Sequence, residues 1–361
     1  MLNMLSGSEE DRVSRVALTL RVVVAEQAPV DAITAKITSM AEAAELARQG
    51  KGPKPKTDNT RYHGGDLPDE LAALMSLVLG RRVIAGELTR EFYPGDDPKG
   101  APVGFTSRFV GPLLSRARQP IVPALIGQRS LDLDLLLSYP TLQARDAILL
   151  LRAARSYQDA TWGAEADPET AWVLLVSAIE TAANQWWPYR EATKDLSSAQ
   201  VLELSKPELT NLLRSHDESG TLLEGVAQHI SYLLQSRQKF LQFLEQFSPP
   251  APQPRPPEHL SLSWNQKGFR KALDQVYTNR SNALHSGLPF PPAMSEAPFP
   301  CDGPEGAGEP IAEIPWKSMS YSKGGFWTGA ESPMLLNTFA YIVRGALLGW
   351  WNWLATRAQQ S

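Results

Sequence analysis

The rhythm of apolar residues changes near Tyr139. Before it, apolar positions come in short runs broken by Gly and Pro. After it, they recur every three or four residues over long stretches. Recurrence at i, i+3, i+4 and i+7 marks one face of a helix, whereas alternation marks a half-buried strand. The spacing therefore predicts helices over Thr141–Trp162, Asp167–Trp187, Leu222–Phe247 and Trp264–His285, with a closing helix from Ser332-Pro333 through Trp353. Ser197–Leu213 reads as a weaker helical stretch that Pro207 interrupts. Stop and start signals support these bounds. Asp167-Pro168-Glu169 opens one helix, and Pro188 closes it; proline fits a first turn and breaks an interior. Ser286-Gly287 followed by Pro289, Pro291 and Pro292 ends another.

The earlier third reads differently. Val13–Ala25 is rich in Val and Leu and predicts a strand, and Ala32–Gln49 predicts a helix. A loop with Lys51, Lys54 and Lys56 follows; it lacks the glycine spacing of a phosphate loop. Asp66-Leu67-Pro68-Asp69 looks like a helix start, with a short helix over Glu70–Leu79 ending at Gly80. Arg81–Gly104 is rich in loops. Arg108, Arg116, Arg118 and Arg129 form either an RNA-facing patch or a solvated surface, and Asp132 and Asp134, alternating with Leu, suggest an edge strand or turn. The fold expected is mainly α: a smaller α+β region over residues 1–135, then an antiparallel helical bundle over 136–361. Two loops interrupt the bundle, a proline-rich one at 249–257 and a long one at 287–331.

Composition is that of an ordinary globular chain, with 43% hydrophobic and 20% charged residues. Net charge is −4, so contact with nucleic acid has to come from local basic patches. The single cysteine, Cys301, can form no internal disulfide and no cysteine-based zinc set. That fits a reducing cytoplasm, as does an N-terminal stretch without a secretory signal. Met334–Ala355 is apolar and long, but Arg344 lies inside it. A central arginine costs ~2.5–3.5 kcal/mol on insertion, and a buried bundle helix explains the same composition. The sequence holds no Gly-x-Gly-x-x-Gly, His-Glu-x-x-His, Cys-x-x-Cys or Gly-x-Ser-x-Gly pattern, so no metal or cofactor is expected.

Candidate chemistry concentrates in Tyr277–Gly287, where Arg280 and His285 stand five residues apart at a helix end. The carbonyl end of a helix favours a cation, so an imidazolium would be stabilised there. Residues five apart in a helix point ~140° away from each other. The pair therefore converges only if the last turn unwinds, or if a second copy supplies its own motif. A surface arginine beside a helix-terminal histidine is the other reading of this spacing. Glu180 lies inside the apolar helix 167–187 and needs a partner if buried; Arg280 and Arg344 are the candidates.

With its flanking segments, Ala171–Trp187 and Ala330–Trp351, this stretch resembles the R-x4-6-H signature of the HEPN superfamily, in particular its ApeA-like branch. The resemblance covers roughly Tyr139 to the C-terminus. Many catalytic members carry Asn, Asp or His directly after the arginine; here Ser281 follows, and Asn282 comes one position later. The resemblance implies a homodimeric, metal-independent endoribonuclease leaving 2′,3′-cyclic phosphate ends, in a toxin–antitoxin or anti-phage setting with a neutralising or defence partner. His285 would be the general acid or base, Arg280 would hold the scissile phosphate, and Asn282 and Ser281 would orient them. Glu180 and Arg344 would support the site. The alternative is a HEPN module that binds RNA, a nucleotide or a protein without catalysis.

Overall fold

The computed structural model describes residues 45, 48–49, 60, 62, 64–85, 90–91, 101–102, 120–123, 133–190, 197–217, 219–301, 310–316, 319–322 and 324–360. The strand expected at Val13–Ala25, most of the helix at Ala32–Gln49 and the arginines 108, 116, 118 and 129 lie outside them. The chain divides into two compact units, Met1–Tyr62 and His63–Ser361.

The second unit is mainly helical. Helix α1 (Leu67–Leu79) begins as the sequence predicts. Asp66 caps it, Asp69 returns the bond to the Asp66 backbone, and Gly80 ends it in the left-handed region at φ 61°. Such a reciprocal box satisfies two amide donors that the first turn leaves open. Arg344 closes the other end. Its Nε donates to the Leu77 carbonyl at 2.8 Å, and its second nitrogen donates to Val78. A Cβ at Gly80 would stand 2.7 Å from that guanidinium, so glycine is required there twice over. Arg344 thus caps a helix and does not serve Glu180 as the sequence suggested.

Ala72, Ala73, Leu74, Leu77 and Val78 of α1 are buried, most of them in the main core. The helix therefore belongs to the bundle, whereas a boundary at 135 places it in the preceding region. Helix α2 (Leu133–Ser138) contains Asp134, which corrects the edge-strand or turn reading there. Leu133 and Asp134 open a short helix. Trp351 Nε1 ties it to the bundle by donating to Ser138 Oγ at 3.1 Å.

Helices α3 (Ala144–Gly163) and α4 (Pro168–Trp186) are joined by residues 164–167 and form the centre. Asp167 caps α4 by accepting from the Thr170 amide and hydroxyl, and these bonds hold its carboxyl below the usual range. The core runs from α4 to α7 (Thr221–Phe247), α8 (Gln266–Ser286) and α9 (Leu336–Gln360). Trp172 of α4 is stacked between Phe290 and Phe339, at centroid distances of 5.2 and 5.0 Å. Cutting so large a buried ring back to alanine costs ~3–5 kcal/mol. No helix among the described residues is long and apolar enough to cross a membrane.

Pro207 splits the weaker helical stretch into α5 (Ser198–Ser205) and α6 (Pro207–His216). With the N-terminal part of α7 they enclose a small separate core of Leu202, Leu223 and Ala227. The long connection 287–331 is not structureless. It packs Phe290 and Met294 into the main core and contains an antiparallel hairpin of β1 (Met319–Ser322) and β2 (Gly325–Thr328). Glu313 pins it to the proline-rich segment. Its Oε2 accepts from the Leu262 amide at 2.7 Å, Arg255 at 3.0 Å and Trp264 Nε1 at 3.1 Å. Burial pushes this carboxyl above its ordinary value, while those three donors pull the other way.

Candidate functional site

Helix α8 stays helical to Ser286, and Gly287 terminates it in the left-handed region at φ 63°. The Gly287 and Leu288 amides both turn back to the Asn282 carbonyl, which satisfies an acceptor that the last turn leaves open. Because the last turn does not unwind, Arg280 and His285 keep the ~140° separation of a regular helix.

Arg280 points inward. Its Nη2 donates to Glu180 Oε2 on α4 at 2.6 Å, and the two side chains are 18% and 19% exposed. Tyr277, one turn before Arg280, donates its hydroxyl to Glu180 Oε1 at 3.0 Å. Each carboxylate oxygen thus has its own donor from α8. The Arg280 guanidinium also lies 5.8 Å from the centre of the Tyr277 ring. Burial pushes the Tyr277 phenol well up, and the Glu180 carboxylate adds to the shift. The phenol therefore remains a donor at neutral pH. The pairing has a cost: Arg280 Nε is buried without a hydrogen-bond partner, a deficit of ~1–3 kcal/mol.

His285 points away and is exposed. Among the described residues it makes no hydrogen bond, ion pair or ring contact. Ser281 and Asn282 precede it by four and three residues, so all three share one helix face. Both are half-buried, and neither side chain has a hydrogen-bond partner among the described residues. The orienting contact to His285 expected of them is not formed in one chain; Asn282 instead contributes its carbonyl to the helix end. Leu284 and Leu288 flank His285 at 50% and 48% exposure.

No family model, curated protein or solved structure matches the chain.

Two residues beside the motif carry roles that the sequence pattern does not assign. Tyr277 is one; its signal is the i, i+3 spacing to Arg280, which places both on one face. Asn279 is the other. It is buried and donates to the Glu331 carbonyl at 3.0 Å, with Met294 sulfur at 3.3 Å. It thereby fastens the far end of the long connection to the motif helix. Among the described residues, cavities lie elsewhere. One, of about 340 Å³, is lined by Glu296, Phe299 and the exposed Trp316. Another, of about 690 Å³, lies along α7 beside Leu222, Val226 and His229. Among the described residues His229 bonds its own helix, at the Gly225 carbonyl. No group of three His, Cys, Asp or Glu residues placed to hold a metal ion occurs among the described residues.

Proposed function

We propose that the chain is a HEPN-type, metal-independent endoribonuclease of the cytoplasm that acts as a homodimer. The observation that carries this reading is the Glu180–Arg280–Tyr277 network. It fixes one guanidinium of the motif helix in place, while His285 stands exposed at the end of the same helix, with no partner among the described residues. A single chain holds the two groups apart; a second copy docked over Leu284 and Leu288 completes the site, with His285 of one copy facing Arg280 of the other.

In this reading RNA supplies the nucleophile. The 2′-hydroxyl oxygen forms a bond to phosphorus and the bond to the 5′-oxygen breaks. His285 accepts the hydroxyl proton or donates one to the departing oxygen, a contribution of ~10²–10⁴-fold in rate. Arg280 stabilises the charge growing on the phosphoryl oxygens. Ser281 and Asn282 complete the polar face around the imidazole. The products are a 2′,3′-cyclic phosphate and a 5′-hydroxyl. An enzyme of this kind fits a toxin–antitoxin or anti-phage setting, with a protein partner that restrains or triggers it.

A second reading is favoured by the same ion pair. Glu180 already neutralises Arg280, which suits a non-catalytic HEPN module that binds RNA, a nucleotide or a protein. Incubation of total RNA with the purified protein in EDTA, beside His285→Ala and Arg280→Ala, separates them. Cleavage abolished in both variants supports the nuclease. Binding without cleavage supports the module. Equal cleavage by all three proteins would remove the motif from consideration.

A further inference from the structure

The long connection has a charge pattern of its own. Residues 287–316 carry Glu296, Asp302, Glu305, Glu309 and Glu313 and no Lys or Arg; Lys317 is the first cation after them. Glu313 is engaged inside the fold, by Arg255 and by the Leu262 and Trp264 nitrogens. Glu296 is exposed, and it forms no hydrogen bond or ion pair among the described residues. It lines the cavity of about 340 Å³ together with Phe299, Pro315, Trp316 and Leu335.

The walls of this cavity are fixed. Leu260, Ala312 and Leu335 make a small core of their own, with Phe299 packed against it. The Ala312 amide donates to the Phe299 carbonyl at 3.1 Å, which ties the two sides of the connection together. Trp316 then meets the Phe299 ring at 5.3 Å and the His259 ring at 6.0 Å, in both cases near a right angle. The three rings form a corner. Trp316 is nevertheless 61% exposed, and it is the only exposed tryptophan among the described residues.

Other rings near the surface are covered by the chain's own cations. Trp187 lies under Arg190 at 3.2 Å and Tyr189 under Arg357 at 3.9 Å. Trp316 carries no such cation among the described residues. A tryptophan face is the strongest aromatic partner for a cation, and a carboxylate beside it adds a charge-assisted hydrogen bond. The cavity volume is at the low end for ligand sites, which suits one long side chain. The carboxylates of the connection oppose a nucleic acid, whose phosphates need cations.

We propose that this corner takes an arginine from a basic segment of a partner protein, with the guanidinium over the Trp316 ring and donating to the Glu296 carboxylate. Arginine fits better than lysine because its planar fork stacks on a ring and donates to a carboxylate at once. The proposal does not rest on the nuclease reading. It gives a protein partner the acidic connection and leaves the end of α8 free for its own chemistry.

The test uses the full chain and a fluorescein-labelled peptide of alternating arginine and glycine, followed by anisotropy at low salt. Peptides with lysine or with uncharged citrulline in place of arginine are the comparisons. The arginine peptide should bind most tightly and the citrulline peptide least. Trp316→Ala should weaken the arginine peptide by ~3–30-fold, and Trp316→Phe by less. Glu296→Gln should weaken it by ~2–5-fold. Glu208→Gln, which removes an exposed carboxylate on α6, should leave it unchanged. Glu296→Gln serves alone if Trp316→Ala does not reach the wild-type unfolding midpoint. A wild type that does not bind, equal binding by folded Trp316→Ala, or equal losses in Glu296→Gln and Glu208→Gln would overturn the site. Lysine binding as tightly as arginine overturns the guanidinium assignment. Labelled single-stranded RNA whose binding is lost in Trp316→Ala overturns the protein partner in favour of a stacked base.

Discussion

Helix α8 has two unlike faces near its C-terminal end. On one, Tyr277 and Arg280 are turned to α4, and every oxygen of the Glu180 carboxylate is engaged. On the other, Ser281, Asn282 and His285 have no side-chain hydrogen-bond partner among the described residues; Leu288, just past the helix end, is half open to solvent, as is Leu284, which continues the Tyr277–Arg280 stripe one turn on. One face is finished within a single chain and the other is not. Unfinished polar and apolar surface side by side is the pattern of a contact yet to be made. The motif is therefore split by the helix geometry into an internal half and an external half, and the two halves should answer differently to substitution.

The largest expected difference is in activity. His285→Ala should reduce RNA cleavage by ~10²–10⁴-fold while moving the unfolding free energy by no more than ~0.5 kcal/mol, as befits an exposed side chain. Single-turnover cleavage beside urea unfolding checks both halves of this statement; a large drop in stability would mean that the outer face is structural after all.

On the inner face the order reverses. Glu180→Gln strips the half-buried Arg280 of its counter-charge and should destabilise the chain by ~1–3 kcal/mol in urea. The more exposed pair between Asp274 of the same helix and Arg237 of α7, at 35% and 49% exposure, is the control: Asp274→Asn should cost only ~0–1 kcal/mol. Equal costs at the two pairs would erase the distinction between the faces.

Tyr277→Phe is smaller, ~0.5–1.5 kcal/mol, but it carries a pH signature. The phenol is raised in the fold above its ordinary value of 10.0, first by burial and then by Glu180. The folded state thus holds that proton more tightly than the unfolded chain does. Its contribution is complete below pH ~10 and is lost as pH rises beyond it. Stability curves of wild type and Tyr277→Phe should converge on the alkaline side. Parallel curves would show that Tyr277 does not sense Glu180.

How far these faces are legible in the sequence depends on which forces set them. Local signals can be read. Asp66 with Asp69, Asp167-Pro168 and Ser286-Gly287 mark helix ends through backbone hydrogen bonds a few residues long. The need of Glu180 for a partner is also readable, because it interrupts an apolar helix. The choice between Arg280 and Arg344 is not, since both lie on helices that pack in the same core. Only the placement of α1 shows that Arg344 is taken by the Leu77 and Val78 carbonyls. The 319–328 hairpin escapes the pattern because its alternating run, Met319-Ser320-Tyr321-Ser322, is only four residues long and the adjacent apolar pair Phe326-Trp327 breaks the alternation in the second strand. Asp134 is misread because a helix little longer than one turn offers too few residues to separate a period of two from 3.6.

The central claim is that one copy brings the held arginine and a second brings the free histidine. Mixing inactive Arg280→Ala and His285→Ala proteins, with re-pairing of their chains, tests it directly. A two-fold dimer with one arginine and one histidine from opposite copies in each site leaves one intact site in every mixed pair, so about a quarter of wild-type cleavage should return on random re-pairing. A mixture that exchanges chains and stays as inactive as its parts would contradict the account.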